Sequence, residues 1–408
     1  MVGEVKVTCD PAEVGLDGER LRRIDAHFSA YVDDGRLPGW LVLVSRRGEI
    51  AHLSTYGARD VASGAPVETG TLFRMYSMTK PVTSVAAMML YEEGLITLKD
   101  PVADYIPAFG DVRVYESGPA SAPVTRPVEE PVRIWHLLTH TAGLMYGWQR
   151  FGVVDELYRA AGLTQGIPDD DLAGFADRVA GLPLLFEPGT AWNYSVATDI
   201  LGRVIEVVAG MPLDRFLAER VFGPLGMSDT GFTVEQGRAD RLATLYTAGL
   251  GRRAVRAAGG DAVLRPTRAP SGGAGLVSTA GDYHRFAQML LRGGELDGVR
   301  LLGPRTLAYM TRNHLPGGAD MQEYGRVPFG EAVDGEGFGL GFAVVQDAAK
   351  VKGIASEGEF HWGGAASTLF WVDPAEEITV LFLTQVTGFG VRTIRTRLRQ
   401  LVQQAIVS

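Results

Sequence analysis

The hairpin that organises the fold lies in residues 40–54, with the sequence WLVLVSRRGEIAHLS. Two runs rich in Val, Leu and Ile, 40–45 and 49–54, flank the turn Arg46-Arg47-Gly48. Residues of this type around a glycine-containing turn predict two antiparallel strands. Apolar residues at helical spacing predict an amphipathic helix over 18–34, directly ahead of the hairpin. The chain therefore opens with a helix and a pair of strands.

The middle of the chain predicts mainly helices, and its end predicts strands again. Residues 100–240 are rich in Pro, Gly and Asp between short apolar repeats, which is typical of short helices and loops. The proline-rich stretch 117–130 predicts a loop. The helices expected after it are 134–139, 169–180, 197–208, 213–221 and 280–291, followed by strands at 339–345, 368–373 and 378–384 and a helix at 392–407.

This order of elements predicts an α+β fold with an antiparallel sheet built from both chain ends and flanked by helices. One α/β domain would contain residues 1–90 and 270–408, with the sheet at its centre. An inserted, mostly helical domain would contain residues 91–269.

Composition excludes several classes of protein. The 408 residues are 46% hydrophobic and 21% charged, as in a globular protein with a large core. The net charge of −9, without a basic block, argues against a nucleic-acid partner. The apolar runs are too short to cross a bilayer, the N-terminus shows no apolar leader, and the single cysteine, Cys9, cannot form an internal disulfide. We therefore expect a cytoplasmic protein without membrane insertion, and its oligomeric state stays open.

The segment Ser77-Met-Thr-Lys80 carries the strongest chemical signal. Of the five lysines, only Lys80 has a serine three positions earlier. An apolar stripe over 82–90 predicts a buried helix that begins near this segment, and residues three apart share a helix face. A serine hydroxyl becomes a nucleophile when an adjacent base takes its proton, and a partly desolvated lysine can be that base.

Two other segments could complete such a site. Tyr194 follows a Glu187-Pro-Gly turn at the start of the helix predicted from residue 197, where its phenol could relay protons beside a lysine. The glycines of Trp362-Gly363-Gly364 would let backbone N–H groups approach a developing oxyanion. Each segment taken alone is also compatible with a structural role, a tyrosine packed in a turn and a plain β-turn.

Together these three segments resemble the three motifs of serine β-lactamase-related esterases, the family VIII carboxylesterases, which are relatives of class C β-lactamases. Supporting segments at 137–144, 186–189, 224–229 and 272–276 match the family as well. The resemblance covers the chain from about residue 15 to its C-terminus. It implies a β-lactamase/penicillin-binding-protein-like fold and a hydrolase without metal or cofactor that acts on small-molecule esters.

The resemblance also implies roles for individual residues. Ser77 would be the acylated nucleophile, Lys80 its base, and Tyr194 the proton relay to the leaving group and the deacylating water. The backbone N–H groups of Ser77 and Ala365 would form the oxyanion hole. The residues expected to contact substrate are Tyr146, Asp199, Trp362, Gly363 and Gly364.

Two departures from the β-lactamase pattern bear on the substrate. β-Lactamases carry Lys-Thr-Gly where this chain has Trp362-Gly363-Gly364, so the cation that would grip a β-lactam carboxylate is missing. Val196 stands where class C enzymes have an asparagine that binds an amide side chain. Both changes favour neutral esters over penicillins as substrates. Slow hydrolysis of cephalosporins is still compatible with the sequence.

Other enzyme classes fit the sequence less well, and some alternatives stay open. The chain contains no Gly-x-Ser-x-Gly elbow. His136 and His140 have the spacing of a metal pair but lack a third ligand nearby, which favours structural histidines. An acyltransferase of the same fold remains an alternative, followed by a β-lactamase or D-amino-acid peptidase. A non-catalytic ligand-binding or self-assembling homologue is the alternative outside enzymes.

Overall fold

The computed structural model describes residues 5–164, 171–326 and 333–408. A π-helical turn, Ala218–Phe222, joins two of its short helices. The α-helices are α1 Gly18–Asp33, α2 Thr79–Glu92, α3 Ile134–Thr139, α4 Val153–Ala160, α5 Leu172–Ala180, α6 Ala197–Ala209, α7 Leu213–Leu217, α8 Gly223–Leu225, α9 Ala280–Leu291, α10 Pro304–Met310, α11 Met321–Tyr324, α12 Ala348–Val351 and α13 Val391–Gln403. The strands are β1 Gly39–Arg46, β2 Glu49–Asp60, β3 Ala65–Pro66, β4 Phe73–Arg74, β5 Arg113–Ser117, β6 Val124–Pro127, β7 Trp192–Asn193, β8 Tyr246–Ala248, β9 Ala254–Arg256, β10 Val277–Ser278, β11 Glu295–Leu296, β12 Val299–Arg300, β13 Gly325–Arg326, β14 Glu336–Phe338, β15 Ala343–Val345, β16 Phe360–Gly363, β17 Leu369–Asp373, β18 Ile378–Leu383 and β19 Val386–Thr387.

The predicted hairpin, β1–β2, lies in a central antiparallel sheet. Its turn residues Arg47 and Gly48 have φ values of 54° and 86°, as a type I′ turn requires. The sheet has eight strands in the order β14-β15-β16-β17-β18-β1-β2-β3, so β1 joins the N-terminal hairpin to the C-terminal strands. The predicted α+β class, with an antiparallel sheet from both chain ends, is confirmed.

Helices cover both faces of this sheet. Every residue of β1 is buried, because its side chains alternate between two apolar cores. Trp40 and Val42 pack in the core shared with α1 and α13, whereas Leu41 and Leu43 belong to the larger core that contains residues of α2 and α9.

Helix α2 is the element that carries the site. All of its residues from Thr79 to Leu90 are buried, which is expected of a helix covered on every side. It contacts α6, and its Thr83 hydroxyl donates to the Gly272 carbonyl oxygen over 2.8 Å. Packing on several sides therefore fixes the position and rotation of α2. We propose that α6 and the other helices of residues 91–269 form the inserted domain expected from the sequence.

Several local predictions differ from the structure. The predicted strand 339–345 is a turn followed by β15, since Gly341 has a φ of 97° and the Gly339 N–H bonds back to the Phe342 carbonyl. The predicted loop 117–130 contains strand β6, which pairs with β5 in a hairpin. The predicted helix 169–180 is observed from Leu172, and residues 169 and 170 lie outside the described ranges. Within those ranges, no helix is long and apolar enough to cross a lipid bilayer.

Candidate active site

Ser77 lies on a single 3₁₀ turn, Tyr76–Met78, that leads directly into α2. Tyr76 has a φ of 47°, an uncommon value for a bulky residue, which indicates local backbone strain beside the serine. Hydrogen bonds hold both sides of the turn, from the Met75 N–H to the Leu276 carbonyl and from the Tyr283 hydroxyl to the Met78 carbonyl, each 2.8 Å long. Ser77 is half-buried on a firmly anchored turn.

The Lys80 amine lies within hydrogen-bond distance of three acceptors. Its Nζ is 3.3 Å from Ser77 Oγ, 3.0 Å from the Tyr146 hydroxyl and 2.7 Å from the Gly273 carbonyl oxygen. Lys80 is only 2% exposed, and these acceptors match the three donors of an ammonium group. When the amine is neutral, the Ser77 hydroxyl can instead donate to it. The predicted contact between Ser77 and Lys80 is present.

Two tyrosines stand beside this amine in different ways. The Tyr194 ring centroid lies 4.6 Å from Nζ, while its buried hydroxyl has no hydrogen-bond partner among the described residues. Tyr146, expected only to line the cleft, instead contacts the amine through its hydroxyl. Burial, followed by the proximity of Tyr194 and Asp199, raises the pKa of Tyr146 well above its usual value. Tyr146 is therefore a protonated phenol at neutral pH.

Gln149 connects the segments that carry these two tyrosines. Its Nε2 donates to the Tyr194 carbonyl over 2.8 Å, and its Oε1 accepts from the Tyr146 N–H over 3.2 Å. Asn193 adds a bond from its side chain to the Leu144 carbonyl over 2.9 Å. The sequence analysis missed Gln149, because its partner Tyr194 is 45 positions away.

The predicted glycine segment lies at the end of a strand, not in a plain turn. Residues of β16 pair with β15 and β17, and Gly363 is opposite Leu369. The Trp362 ring lies 5.4 Å from the Tyr194 ring and 5.3 Å from the Phe338 ring. Trp362 therefore forms an apolar wall beside the phenol of Tyr194.

Gly364 brings the following turn close to the nucleophile. An added Cβ there would lie 2.3 Å from both the Met75 carbonyl oxygen and Thr368 Oγ1, so only glycine fits. Ala365 follows in an exposed turn, and its N–H makes no hydrogen bond to another described residue. The turn thus lies against the residues that precede Ser77 and has a backbone donor available.

Asp199, which the sequence predicts to contact substrate, is buried and hydrogen-bonded to the segment 271–273. Its side chain is 3% exposed, and its Oδ1 accepts from the Ser271 hydroxyl at 2.6 Å and the Gly273 N–H at 3.0 Å. Burial raises the pKa of Asp199, and the charge of Lys80 opposes that rise. Its position in α6 directs the carboxylate at residues 271–273.

The two histidines singled out in the sequence are buried. His136 Nδ1 accepts from the Arg133 N–H over 3.0 Å. His140 contacts Ser195 Oγ at 3.2 Å, and its ring packs 5.0 Å from that of Tyr194. Burial, with Lys80 adding to it, holds the pKa of His140 well below its usual value, so its ring is neutral. No group of three or more potential metal-ligating side chains is found in the described ranges.

A serine hydroxyl in contact with a buried lysine amine, beside a tyrosine, is typical of a convergent class of serine hydrolases. The family model described as beta-lactamase matches residues 24–404, and the chain belongs to this family. Protein Rv1367c of Mycobacterium tuberculosis is 36% identical over 375 residues, which cover 91% of this chain and 90% of that protein.

Two further relatives narrow the type of enzyme. Esterase EstB of Burkholderia gladioli is 33% identical over 403 residues, covering 93% of this chain and 94% of EstB. The structure of EstCE1, described as a hydrolase with promiscuous acyltransferase activity, superimposes with a TM-score of 0.80 at 28% identity, covering 98% of this chain and 99% of EstCE1. The chain is a serine hydrolase of the carboxylesterase type, and its fold is of the β-lactamase/penicillin-binding-protein kind.

Proposed function

We propose that the protein hydrolyses small-molecule carboxylic esters through an acyl-enzyme on Ser77. One observation carries this proposal. The Lys80 amine lies 3.3 Å from Ser77 Oγ and 4.6 Å from the ring centroid of Tyr194, whose buried hydroxyl has no hydrogen-bond partner in the described part of the chain. A buried polar group without a partner requires an explanation. The oxygen of a bound ester or water would supply the partner that Tyr194 lacks.

The acylation step follows from these positions. Ser77 Oγ bonds to the ester carbonyl carbon while its proton passes to the neutral Lys80 amine. The carbonyl oxygen becomes an oxyanion that accepts hydrogen bonds from the N–H groups of Ser77 and Ala365. Collapse of this intermediate breaks the bond to the alcohol oxygen, which leaves with a proton delivered through Tyr194. In deacylation water attacks the acyl carbon, its proton passes back through the same groups, and Ser77 Oγ leaves as a hydroxyl.

The surroundings of the serine support a neutral, largely apolar ester. Trp362 packs against Tyr194 and Phe338 packs against Trp362, and the cation of a Lys-Thr-Gly motif is replaced by the indole ring. A substrate carboxylate placed against this apolar wall would lose its hydration without gaining an opposite charge, so its binding would cost free energy. We therefore expect Trp362 and Gly363 to contact the ester, and cephalosporins to be slow substrates.

The experiment compares the wild-type protein with Ser77→Ala on a chromogenic ester and a chromogenic cephalosporin. A serine-directed phosphonate, followed by peptide mass spectrometry, identifies the labelled residue. The expected result is a phosphonate adduct on Ser77, ester turnover that is lost in Ser77→Ala, and much slower cephalosporin turnover. Equal ester turnover without the Ser77 hydroxyl would refute the mechanism. Absence of an adduct would favour a non-catalytic binding protein.

Acyl transfer to an alcohol is the second candidate, because the acyl-enzyme would form beside buried catalytic side chains. Lys80, Tyr146 and Tyr194 are each less than a tenth exposed, and EstCE1 is described as having promiscuous acyltransferase activity. A competing alcohol added to the ester assay separates the two outcomes. Accumulation of a transfer ester in place of the free acid would favour the acyltransferase.

A further inference from the structure

Asp199 is linked to Lys80 through one residue, Gly273. The Lys80 amine donates to the Gly273 carbonyl oxygen over 2.7 Å, which is the shortest of its three contacts. The N–H of the same glycine donates to Asp199 Oδ1 over 3.0 Å. Neither Asp199 nor Lys80 is more than 3% exposed. A buried carboxylate and a buried amine therefore hold opposite sides of the same residue.

The segment that joins them is closely packed. An added Cβ at Gly273 would lie 2.5 Å from Asp199 Oδ2, and one at Gly272 would lie 2.8 Å from the Thr198 carbonyl oxygen. On the opposite side, the Gly272 carbonyl accepts from the hydroxyl of Thr83 in α2 over 2.8 Å. The segment is thus held between α6 and α2, so a displacement of Asp199 would be transmitted to the lysine.

The hydrogen bonds of Asp199 are those of an ionised carboxylate. Two donors, the Ser271 hydroxyl and the Gly273 N–H, point at the single oxygen Oδ1. The bond from Ser271 is 2.6 Å long, within the range of a hydroxyl donating to a charged oxygen. Both charged groups are buried, and opposite charges interact more strongly in the protein interior than at an exposed surface.

We propose that Asp199 is a positioning residue for Lys80. Through Gly273 it fixes the amine against Ser77 Oγ, and its negative charge stabilises the positive charge that the amine gains when it takes the Ser77 proton. The inference deepens the proposed function and rests on it, because it requires Lys80 to take the Ser77 proton.

Three other titratable groups face the lysine within the described ranges. Tyr146 contacts the amine, Tyr194 lies beside it with its ring, and His140 is near enough for the lysine charge to lower the histidine's pKa. Both the raised pKa of Tyr146 and the lowered pKa of His140 leave these groups uncharged at neutral pH. Asp199 is then the group that supplies a compensating negative charge in this cluster.

The test separates the charge of Asp199 from its geometry. Asp199→Asn keeps an oxygen that can accept from Ser271 and Gly273 but removes the charge, whereas Asp199→Ala removes both. The assay measures kcat and KM for a chromogenic ester between pH 5 and pH 10. In Asp199→Asn we expect the acid limb of the kcat/KM profile to move to lower pH by about one unit, with KM within threefold of wild type. In Asp199→Ala we expect kcat on the plateau to fall by at least tenfold.

Asp282 supplies a matched control. It is buried and accepts from one hydroxyl, Thr230 at 2.8 Å, and one backbone N–H, Asp229 at 2.7 Å. Asp282→Asn is expected to lower stability without moving the pH profile. If Asp199→Asn keeps the wild-type acid limb, or if Asp282→Asn moves it equally, the proposal is overturned.

Two further measurements distinguish failure of this proposal from misfolded variants and from failure of the proposed function. Should both Asp199 variants fail to fold, Ser271→Ala tests the same link, with kcat lowered several-fold at constant KM as the expected result and unchanged kcat as the refuting one. Phosphonate labelling of wild-type Ser77 tests the proposed function by itself. A labelled Ser77 together with an unmoved pH profile would refute only the role proposed for Asp199 and would leave the proposed function intact.

Discussion

Lys80 Nζ lies 3.0 Å from the hydroxyl of Tyr146, closer than the 3.3 Å that separates it from Ser77 Oγ. The amine is therefore shared between the nucleophile and a phenol whose raised pKa keeps it protonated. Tyr194 differs, because its hydroxyl is buried and unpaired among the described residues. The contact of Tyr146 fits a role in orienting the lysine amine. The free hydroxyl of Tyr194 among the described residues fits a role in bonding to an oxygen of the ester or of water.

The two tyrosines should respond differently to loss of the hydroxyl. Tyr194→Phe should lower kcat by roughly 10²–10⁴-fold, the range for losing a group that moves a proton in the transition state. Tyr146→Phe should lower kcat by about tenfold, comparable to one hydrogen bond to a charged group, because the amine keeps Ser77 and Gly273. Steady-state kinetics on one chromogenic ester would measure both. A larger loss of kcat for Tyr146→Phe than for Tyr194→Phe would mean that Tyr146 transfers the proton and Tyr194 orients the lysine.

Gly364→Ala should impair the site by steric conflict. The new Cβ would meet the Met75 carbonyl oxygen and Thr368 Oγ1 at 2.3 Å, which forces the turn carrying Ala365 away from Ser77. Loss of one oxyanion donor costs roughly 10²–10³-fold in kcat, and overpacking costs about 1–3 kcal/mol of stability. Gly353→Ala is the control, since its Cβ meets only Val351 Cγ1 at 3.9 Å. Wild-type kcat in Gly364→Ala would exclude a role for this turn in the chemistry.

Acid should destabilise the protein between pH 6.5 and about pH 4, because several histidines are buried. Burial lowers the pKa of His136 to about 3 and those of His284 and His361 to about 4. Unfolded histidines bind protons below pH 6.5 while these folded ones stay neutral, so the unfolded state gains stability as the pH falls. Glu359 acts oppositely, since burial raises its pKa to about 7 and its protonation below that pH favours the folded state.

His284→Gln isolates one of these contributions, because His284 lies in α9, outside the proposed site. Urea unfolding at pH 7 and pH 4.5 gives the loss of unfolding free energy on acidification. That loss should be smaller in His284→Gln than in the wild type by about 2 kcal/mol, from a pKa change of roughly 2.5 units. Identical losses in the two proteins would show that His284 is protonated in the folded state.

The elements with a strong local pattern were predictable, whereas contacts between distant segments were not. Helix α9, Ala280–Leu291, has the predicted bounds because its apolar spacing and polar flanks lie within the element itself. Strand β16, Phe360–Gly363, is not predicted, since the paired glycines at its end are typical of turns and its strand partners are set by the sheet. Local sequence does not contain the information that pairs these strands.

The candidate site shows the same division. The contact of Ser77 with Lys80 follows from a spacing of three residues on one helix. The two other partners of the amine, Tyr146 and Gly273, come from 66 and 193 positions away. The orientation of Asp199 toward Ser271 depends on how α6 packs against a segment 72 positions away, so local sequence does not predict it.

Gln149→Ala should reduce catalysis by releasing the segments that carry Tyr146 and Tyr194 from each other. The variant loses the bonds to the Tyr194 carbonyl and the Tyr146 N–H, and a buried group left unpaired costs about 1–3 kcal/mol. We expect kcat to fall by about tenfold with little change in KM, since the Gln149 side chain is buried and bonded to the backbone. Gln288 is the matched control, because it is equally buried and bonds Thr379 and Ser45 between α9 and the sheet. Gln288→Ala should lose comparable stability in a thermal melt while keeping wild-type kcat. An equal fall of kcat in both variants would mean that Gln149 acts only through global stability.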